Sequence, residues 1–201
     1  MKADFIYLAS QSPRRRQLLD QIGVPHELLL PDADEDAEAL EAVRAGESAL
    51  DYVQRVTRAK LEAALARLAR RALPAAPVLC ADTTVALGRR ILGKPADAAQ
   101  AREMLMALSG HEHRVLTAVA VGLGHRRELL LNVSRVRFMP LAPDQIDHYV
   151  ASGEPVGKAG AYAIQSRAAL WIDRIVGSYS SIMGLPLHET GLLLQRFGVR
   201  F

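Results

Sequence analysis

The 201 residues are half apolar and carry a formal net charge of +3, so residues 1–201 suffice to bury one domain's hydrophobic core. An aromatic content of 5%, without a dense lysine and arginine stripe, excludes the stacking platforms and basic tracks of nucleic-acid binders. The single cysteine, Cys80, cannot form an internal disulfide, and no apolar run suits a signal peptide or a membrane span, so we expect a cytoplasmic protein.

Strand-like and helix-like runs alternate along the chain. Short runs rich in apolar and β-branched residues predict strands at 5–9, 26–30, 78–87, 115–123, 128–139 and 170–175. Longer runs with helical periodicity predict helices at 13–22, 48–73, 97–108, 143–151 and 187–197. This alternation predicts an α/β fold with a mixed sheet and flanking helices, and no glycine-rich nucleotide fingerprint is present.

The first predicted strand leads directly into Ser10-Gln11-Ser12-Pro13-Arg14-Arg15-Arg16. Pro13 suits the first position of a helix, and Ser12 is a favoured N-cap. The free backbone N–H groups and the positive end of the helix dipole favour an anion there. Arg14 and Arg15 add planar donors that match phosphate oxygens. The structural alternative is a capped surface helix with solvated arginines.

Three charged side chains further along the chain are candidates for work on a phosphate. Lys60 falls on the apolar face of the second predicted helix, either at the edge of the core or reaching into a phosphate cleft. Asp82 follows a buried strand-like run, where a carboxylate is costly unless it is paired or bound to a metal, although it can also hydrogen-bond a turn. Lys94 stands between Gly93 and Pro95 in a tight loop, which alone predicts an ordinary surface lysine.

Two further features are compatible with a nucleotide site. Asp34 and Glu35, in the acidic stretch 32–46, are hard oxygen donors that suit Mg²⁺ or Mn²⁺, and a solvated acidic loop is the alternative. Gln165 ends the strand-like apolar run 161–165, where its amide either reads the edge of a pyrimidine or is a satisfied core amide. The sequence has no HExxH pair, zinc-type cysteine cluster or Gly-x-Ser-x-Gly elbow.

The order and spacing of these motifs resemble the Maf family of nucleoside triphosphate pyrophosphatases. The resemblance extends from residue 8 to about residue 194. The motifs that carry it are Ser10-Gln11-Ser12-Pro13-Arg14-Arg15, Asp34-Glu35, Arg58-Ala59-Lys60, Ala81-Asp82-Thr83, Gly93-Lys94-Pro95, Lys158-Ala159-Gly160-Ala161-Tyr162-Ala163-Ile164-Gln165, Gly177-Ser178-Tyr179 and Gly184-Leu185-Pro186-Leu187.

The resemblance implies a two-lobed fold with a central cleft, akin to that of inosine triphosphatase. It implies hydrolysis between the α- and β-phosphates, which yields a nucleoside monophosphate and pyrophosphate. It also implies a divalent cation, Mg²⁺ or Mn²⁺, a cytoplasmic enzyme that cleans the nucleotide pool, and often a homodimer. The family is further linked to arrest of cell division.

The resemblance also assigns roles to individual residues. By motif match, Asp82 is the proton acceptor that activates water, and Glu35 helps to hold the metal. Asp82 is also a candidate metal ligand, and whether it acts as the base, as a ligand or as both stays open at this point. Arg14, Arg15, Lys60 and Lys94 match the cations that contact the phosphates, and Lys60 and Lys94 are the two assigned to catalysis. The positions that match substrate-binding residues are Ser10, Ser12, Arg14, Arg15, Thr83 and Gln165, of which Arg14, Thr83 and Gln165 set the base preference.

The form Ala-Tyr-x-Ile-Gln resembles the branch of the family that acts on dTTP and UTP. The branch that prefers 7-methyl-GTP usually has Ser-Glu in place of Ile-Gln. This chain departs from the common pattern at Gly157, Ser166 and Arg167, which leaves the fine substrate preference open. The alternatives are the same reaction on 7-methyl-GTP or modified pyrimidine nucleotides, and a nucleotide-binding regulator of cell division with little turnover. Because both Asp82 and Glu35 are present, we favour an enzyme.

Overall fold

The computed structural model describes residues 3–32, 35 and 39–201, so Asp34, Asp36 and Glu38 of the acidic stretch lie outside the described residues. The strands are β1 (Ile6–Leu8), β2 (His26–Leu28), β3 (Val78–Leu87), β4 (Arg90–Leu92), β5 (Glu112–Leu123), β6 (Arg126–Phe138) and β7 (Ile172–Val176). The helices are α1 (Pro13–Gln21), α2 (Ala49–Arg70), α3 (Ala98–Leu108), α4 (Pro143–Ala151), α5 (Tyr179–Met183) and α6 (Leu187–Arg196). None of these helices is long and apolar enough to cross a membrane.

The strands form one seven-stranded sheet in the order β2-β1-β3-β5-β6-β7, with β4 paired to β3. β1 runs parallel to β2 and β3, whereas the pairs β3–β5, β5–β6 and β6–β7 are antiparallel. The mixed α/β architecture predicted from the alternating runs is therefore confirmed. The sheet joins a short parallel half, which ends in loops, to a long antiparallel half, which supplies most of the buried backbone pairing.

Helices cover both faces of the sheet. On one face, Leu61 and Ala64 of α2 pack against Tyr7, Cys80 and Ala120. On the opposite face α1 and α6 pack against β1, β3 and β5, through the buried residues Ile6, Leu8, Leu18, Leu19, Leu79, Ala81, Val119, Val121, Leu193 and Leu194. The alternation of side chains along β1 and β3 distributes consecutive residues to these two faces. Both faces of the sheet are thus buried around the point where β1 meets β3.

The sheet has an opening in its hydrogen-bond ladder on one side of β3. The pairing of β1 with β3 ends at Leu79, and the pairing of β4 with β3 begins at Val85. Between these two points β3 pairs with β5 alone. Asp82 lies in this stretch of β3, and the stretch forms the floor of a cleft.

The structure differs from the sequence-based prediction in one segment and in two short elements. The run 161–165 is not a strand, because a 3₁₀ turn at Ala159–Ala161 precedes it and Gly160 adopts a φ of 68°. The short elements β4 and α5 carry too few residues for a periodic pattern, and the sequence did not reveal them. The predicted helices agree with the observed ones to within three residues at each end, as for 48–73 against Ala49–Arg70.

Candidate active site

A cleft of about 1070 Å³ opens beside the unpaired stretch of β3. Its walls are the loop after β1, one side of α2, the loop after β4 and the segment 157–165. All the candidate site residues line this cleft: Ser10, Ser12, Arg14, Arg15, Glu35, Lys60, Asp82, Thr83, Lys94 and Gln165. Residues that are up to 155 positions apart in the sequence are therefore brought to one cavity, from Ser10 to Gln165.

A chain of four charged side chains crosses the floor of the cleft. The Lys60 ammonium donates to Asp82 Oδ1 at 2.6 Å and to Glu41 Oε1 at 2.7 Å. The Lys94 ammonium donates to the other oxygen of Glu41, Oε2, at 2.8 Å. Asp82 is 7% exposed, so its carboxylate is nearly buried beside this ammonium group. The three sequence-predicted residues Lys60, Asp82 and Lys94 thus belong to one network. Lys60 binds Asp82 directly, and Glu41 links Lys60 to Lys94.

Burial alone lowers the pKa of Lys60, but the carboxylates of Asp82 and Glu41 outweigh it and raise that pKa above its ordinary value. For Glu41, burial raises the pKa, and the ammonium groups of Lys60 and Lys94 turn the net shift downwards. Both shifts favour the charged forms at neutral pH. The network is therefore ionic, with two cations held by two anions.

Glu41 is the functional candidate that the sequence did not single out. It lies in the acidic stretch 32–46, where nothing in the pattern distinguishes one carboxylate from another. The structure places it at the end of a 3₁₀ turn, Ala39–Glu41, and its carbonyl oxygen accepts a 2.9 Å hydrogen bond from the Tyr52 hydroxyl of α2. This anchor to α2 directs the turn toward Lys60, which is on the same helix.

Glu35 also lines the cleft, but guanidinium groups hold both of its carboxylate oxygens. Arg67 Nε donates to Oε1 at 3.0 Å and Arg67 Nη2 donates to Oε2, while Arg70 Nη2 donates to Oε1 as well. These hydrogen bonds, Arg67's above all, lower the pKa of Glu35 to about 2. Arg67 is buried and also donates to the Leu29 carbonyl at 3.0 Å. The metal-binding role of Glu35 stays a prediction, and its arginine partners indicate an anchor for this loop.

The turn between β1 and α1 presents its arginines against α5. Arg14 Nε donates to the Met183 carbonyl at 3.2 Å, and Arg15 Nε donates to the Gly184 carbonyl at 2.7 Å. Within the described parts of the chain, neither guanidinium has a carboxylate within 4 Å. These side chains are thus held by carbonyl groups that carry no net charge, which leaves their positive charge available to an anion.

The serines of this turn differ from the sequence-based expectation. Ser12 occupies the N-cap position of α1, but its side chain makes no capping hydrogen bond. Instead the Ser10 hydroxyl accepts from the Ser12 N–H at 3.2 Å and from Arg15 Nη1 at 3.0 Å. Pro13 occupies the start of the helix as predicted, and Arg16 is exposed. Ser10 is therefore the residue that orders the turn.

Thr83 and Gln165 lie at the cleft with free hydrogen-bonding capacity. The Thr117 hydroxyl donates to the Ser181 carbonyl at 2.8 Å, so in the 3.0 Å contact between the two threonines Thr83 is the donor. The Thr83 oxygen is then left as an acceptor. Gln165 is exposed, and its amide has no partner among the described residues. The alternative of a satisfied core amide at Gln165 is excluded.

The donor set on the floor suits a hard divalent cation only in part. No group of three or more histidine, cysteine, aspartate or glutamate side chains is placed for a metal within residues 3–32, 35 and 39–201. Asp82 and Glu41 share one ammonium group, so their carboxylates are neighbours. Mg²⁺ is commonly held by one or two carboxylates together with phosphates of the substrate. The floor therefore fits a cation whose coordination a bound phosphate completes.

The chain is similar to known proteins over nearly its whole length. A family model described as "Maf-like protein" matches residues 5–197. The chain is 65% identical over 198 residues to a protein of Albidiferax ferrireducens named dTTP/UTP pyrophosphatase, which covers 98% of this chain and 99% of the relative. Proteins with the same name from Polaromonas sp. and Cupriavidus metallidurans are 63% and 62% identical, with 98% of each chain covered.

Proposed function

Since the chain belongs to the Maf family, we propose that residues 1–201 form one nucleoside triphosphate pyrophosphatase domain that acts on dTTP and UTP. In this reaction water attacks the α-phosphorus, the bond to the β-phosphate breaks, and a nucleoside monophosphate and pyrophosphate leave. The names of the relatives support the substrate class. The observation that carries the proposal is the ionic floor of the cleft, where Lys60 binds a nearly buried carboxylate, Asp82, and also Glu41, which in turn binds Lys94.

In the proposed mechanism Asp82 accepts the proton of the attacking water. Lys60 fixes the carboxylate through Oδ1 at 2.6 Å, which orients Asp82. General-base assistance contributes about 10²- to 10⁴-fold to such reactions. The remaining acceleration has to come from electrostatic stabilisation of the phosphates by fixed cations.

Lys60 and Lys94 supply part of that stabilisation. At rest both ammonium groups are bound by Glu41, at 2.7 and 2.8 Å. A triphosphate carries more negative charge than one carboxylate, so its oxygens can replace Glu41 at these lysines. Lys94 then lies where it can offset the charge of the departing pyrophosphate.

A divalent cation, when bound, offsets phosphate charge and polarises the phosphate that is attacked. We propose that Asp82 and Glu41 would hold this cation, because both carboxylates already bind the same ammonium group, that of Lys60. Glu35 remains the ligand predicted from the resemblance. Its distinguishing property is the arginine pair that already binds both of its oxygens.

Gln165 and Thr83 are proposed to read the base. Uracil and thymine share an edge of O4, N3–H and O2, and an amide can both donate to it and accept from it. The exposed amide of Gln165 and the free acceptor of Thr83 match such an edge. The thymine methyl group then needs only space.

The test is a panel of nucleoside triphosphates, including dTTP, UTP and 7-methyl-GTP, with Mg²⁺ or Mn²⁺. Pyrophosphate and orthophosphate release are measured separately, and Asp82→Asn is the control for active-site turnover. We expect pyrophosphate from dTTP and UTP, and a loss of about 10²- to 10⁴-fold in Asp82→Asn. Orthophosphate as the product, or more than about a tenth of the activity left in Asp82→Asn, would contradict the mechanism.

Each alternative predicts a distinct outcome of the same panel. A preference for 7-methyl-GTP indicates the other branch of the family, and tight binding without turnover indicates a regulator. The homodimer and the cytoplasmic location implied by the resemblance stay predictions, which light scattering and cell fractionation test.

A further inference from the structure

Lys158 is a lysine of the cleft that the mechanism above does not use. It is half-buried in the wall of the cleft that ends at Gln165. Its ammonium donates to the carbonyl of Val156 at 3.2 Å. Among the residues that the structure describes, no carboxylate lies within 4 Å of it. Lys158 therefore differs from Lys60 and Lys94, which carboxylates already hold.

Arg14, a second cation of the same cleft, also has no carboxylate within 4 Å among the described residues. Burial and then the positive charge of Arg14 lower the pKa of Lys158, and Glu154 only partly offsets this. Glu154 itself forms an ion pair with Arg167 at 3.4 Å. Burial likewise lowers the pKa of Arg14, whose Nε is bound only by the Met183 carbonyl. Two positive groups thus line the same cleft, and no carboxylate of the described chain lies within 4 Å of either.

The backbone that carries Lys158 is firmly placed. Gly160 donates its N–H to the Gly93 carbonyl at 3.1 Å, which ties this segment to the loop of Lys94. The next residue, Ala161, donates its N–H to the Lys158 carbonyl at 3.0 Å. A Cβ at Gly160 would meet the side chain of Val85 at 3.0 Å, so the turn packs directly on β3. A lysine on such a turn keeps its place against the cleft, unlike a lysine on a solvated loop.

We propose that Lys158 is a substrate-binding residue that, together with Arg14, binds a phosphate group of the nucleoside triphosphate. This inference rests on the proposed function. Bringing two cations together without a counter-ion is costly, and phosphate oxygens remove that cost. Because no carboxylate has to be displaced, this pair can bind the incoming phosphates before Lys60 and Lys94 exchange Glu41 for them.

The first experiment compares KM and kcat for dTTP in three variants. Lys158→Met removes the charge but keeps an unbranched side chain, and Lys158→Arg keeps the charge. Arg174→Met removes an exposed cation of β7 outside the cleft and is the matched control. A lost hydrogen bond to a charged group predicts a KM about 10- to 100-fold higher in Lys158→Met, with kcat changed less than about threefold. Lys158→Arg should restore KM to within about fivefold of the original protein, because its charge is retained.

The second experiment measures the binding of inorganic pyrophosphate by calorimetry, which needs no turnover. Lys158→Met should bind pyrophosphate at least about tenfold more weakly at an unchanged melting temperature. As the pH rises through the lowered pKa of Lys158, the original protein should lose affinity, whereas Lys158→Arg should retain it. Arg14 keeps its charge throughout this range.

The two proposals fail in different ways. Unchanged affinity and KM in Lys158→Met, or an equal loss in Arg174→Met, would overturn the role of Lys158. Absence of nucleotide hydrolysis in the original protein would overturn the proposed function, and pyrophosphate binding would still decide whether Lys158 binds phosphate.

Discussion

The structure gives different partners to Glu35, the metal ligand expected from the sequence, and to Glu41, which the sequence did not single out. We predict that Glu41→Gln impairs activation by the divalent cation, whereas Glu35→Gln impairs stability. Each substitution removes one negative charge and keeps the size of the side chain, so each is the control for the other.

The contacts set the expected magnitudes. Loss of an outer-shell partner typically costs about 10- to 100-fold in metal affinity, so loss of a direct ligand in Glu41→Gln should raise the Mg²⁺ concentration for half-activation at least about tenfold. In Glu35→Gln the buried Arg67, 4% exposed, loses its charged partner. Breaking a fully buried ion pair costs about 3–5 kcal/mol. The Glu35 side chain is 21% exposed and Arg67 retains the Leu29 carbonyl, which reduces the expected cost to about 1–2 kcal/mol.

The assay combines Mg²⁺ titration of pyrophosphate release at saturating dTTP with thermal unfolding followed by circular dichroism. For a chain of this length about 1 kcal/mol corresponds to a shift of about 2–4 °C, so Glu35→Gln should melt about 2–8 °C lower with its Mg²⁺ dependence unchanged. A shifted Mg²⁺ dependence in Glu35→Gln together with a normal one in Glu41→Gln would refute this reasoning and restore Glu35 as the ligand.

Three further outcomes follow from the same contacts. Gln165→Glu should raise KM for dTTP and UTP more than for purine nucleotides, because it removes the amide donor, and an equal rise for all nucleotides in the kinetic panel would contradict base reading. Gly160→Ala places a side chain at a φ of 68° and 3.0 Å from Val85, so urea unfolding should show a loss of about 1–3 kcal/mol. Because the pKa of Glu35 is lowered to about 2 from 4.5, its ion pair stabilises the fold above pH 4.5 and this contribution is lost as the pH falls toward 2. Urea unfolding between about pH 6 and 3 should therefore show a steeper fall in the original protein than in Glu35→Gln.

Some of the site follows from local pattern. The apolar spacing around Lys60 places it on the buried face of α2, and a buried strand needs a partner for Asp82. The 2.6 Å ion pair between Lys60 and Asp82 satisfies both requirements. Helix limits were predictable because capping residues mark them, as where the Asp97 side chain accepts from the Gln100 N–H at 2.8 Å.

Other features depend on tertiary geometry that no local pattern encodes. The apolar composition of 161–165 is typical of a strand, but the positive φ of Gly160 and its packing on Val85 bend the chain. Glu41 reaches Lys60 across 19 positions of sequence through a turn anchored by Tyr52. Short elements such as α5 form because neighbouring elements hold them. Tertiary contacts of this kind, such as the one from Tyr52 to Glu41, place Glu41 on the floor of the cleft.

The distribution of charge in the cleft also bears on the choice between an enzyme and a nucleotide-binding regulator. A regulator would bind a triphosphate best with cations alone, since each nearby carboxylate repels the phosphates. Here Asp82 and Glu41 lie directly beside the lysines of the floor, whereas no carboxylate of the described residues lies within 4 Å of Arg14 or Lys158. Carboxylates at the floor weaken binding of the polyanion, but they are the groups that accept a proton and hold a divalent cation. Turnover requires the carboxylates Asp82 and Glu41 beside the lysines of the floor. Arg14 and Lys158, on the wall, then bind phosphate without a carboxylate partner among the described residues.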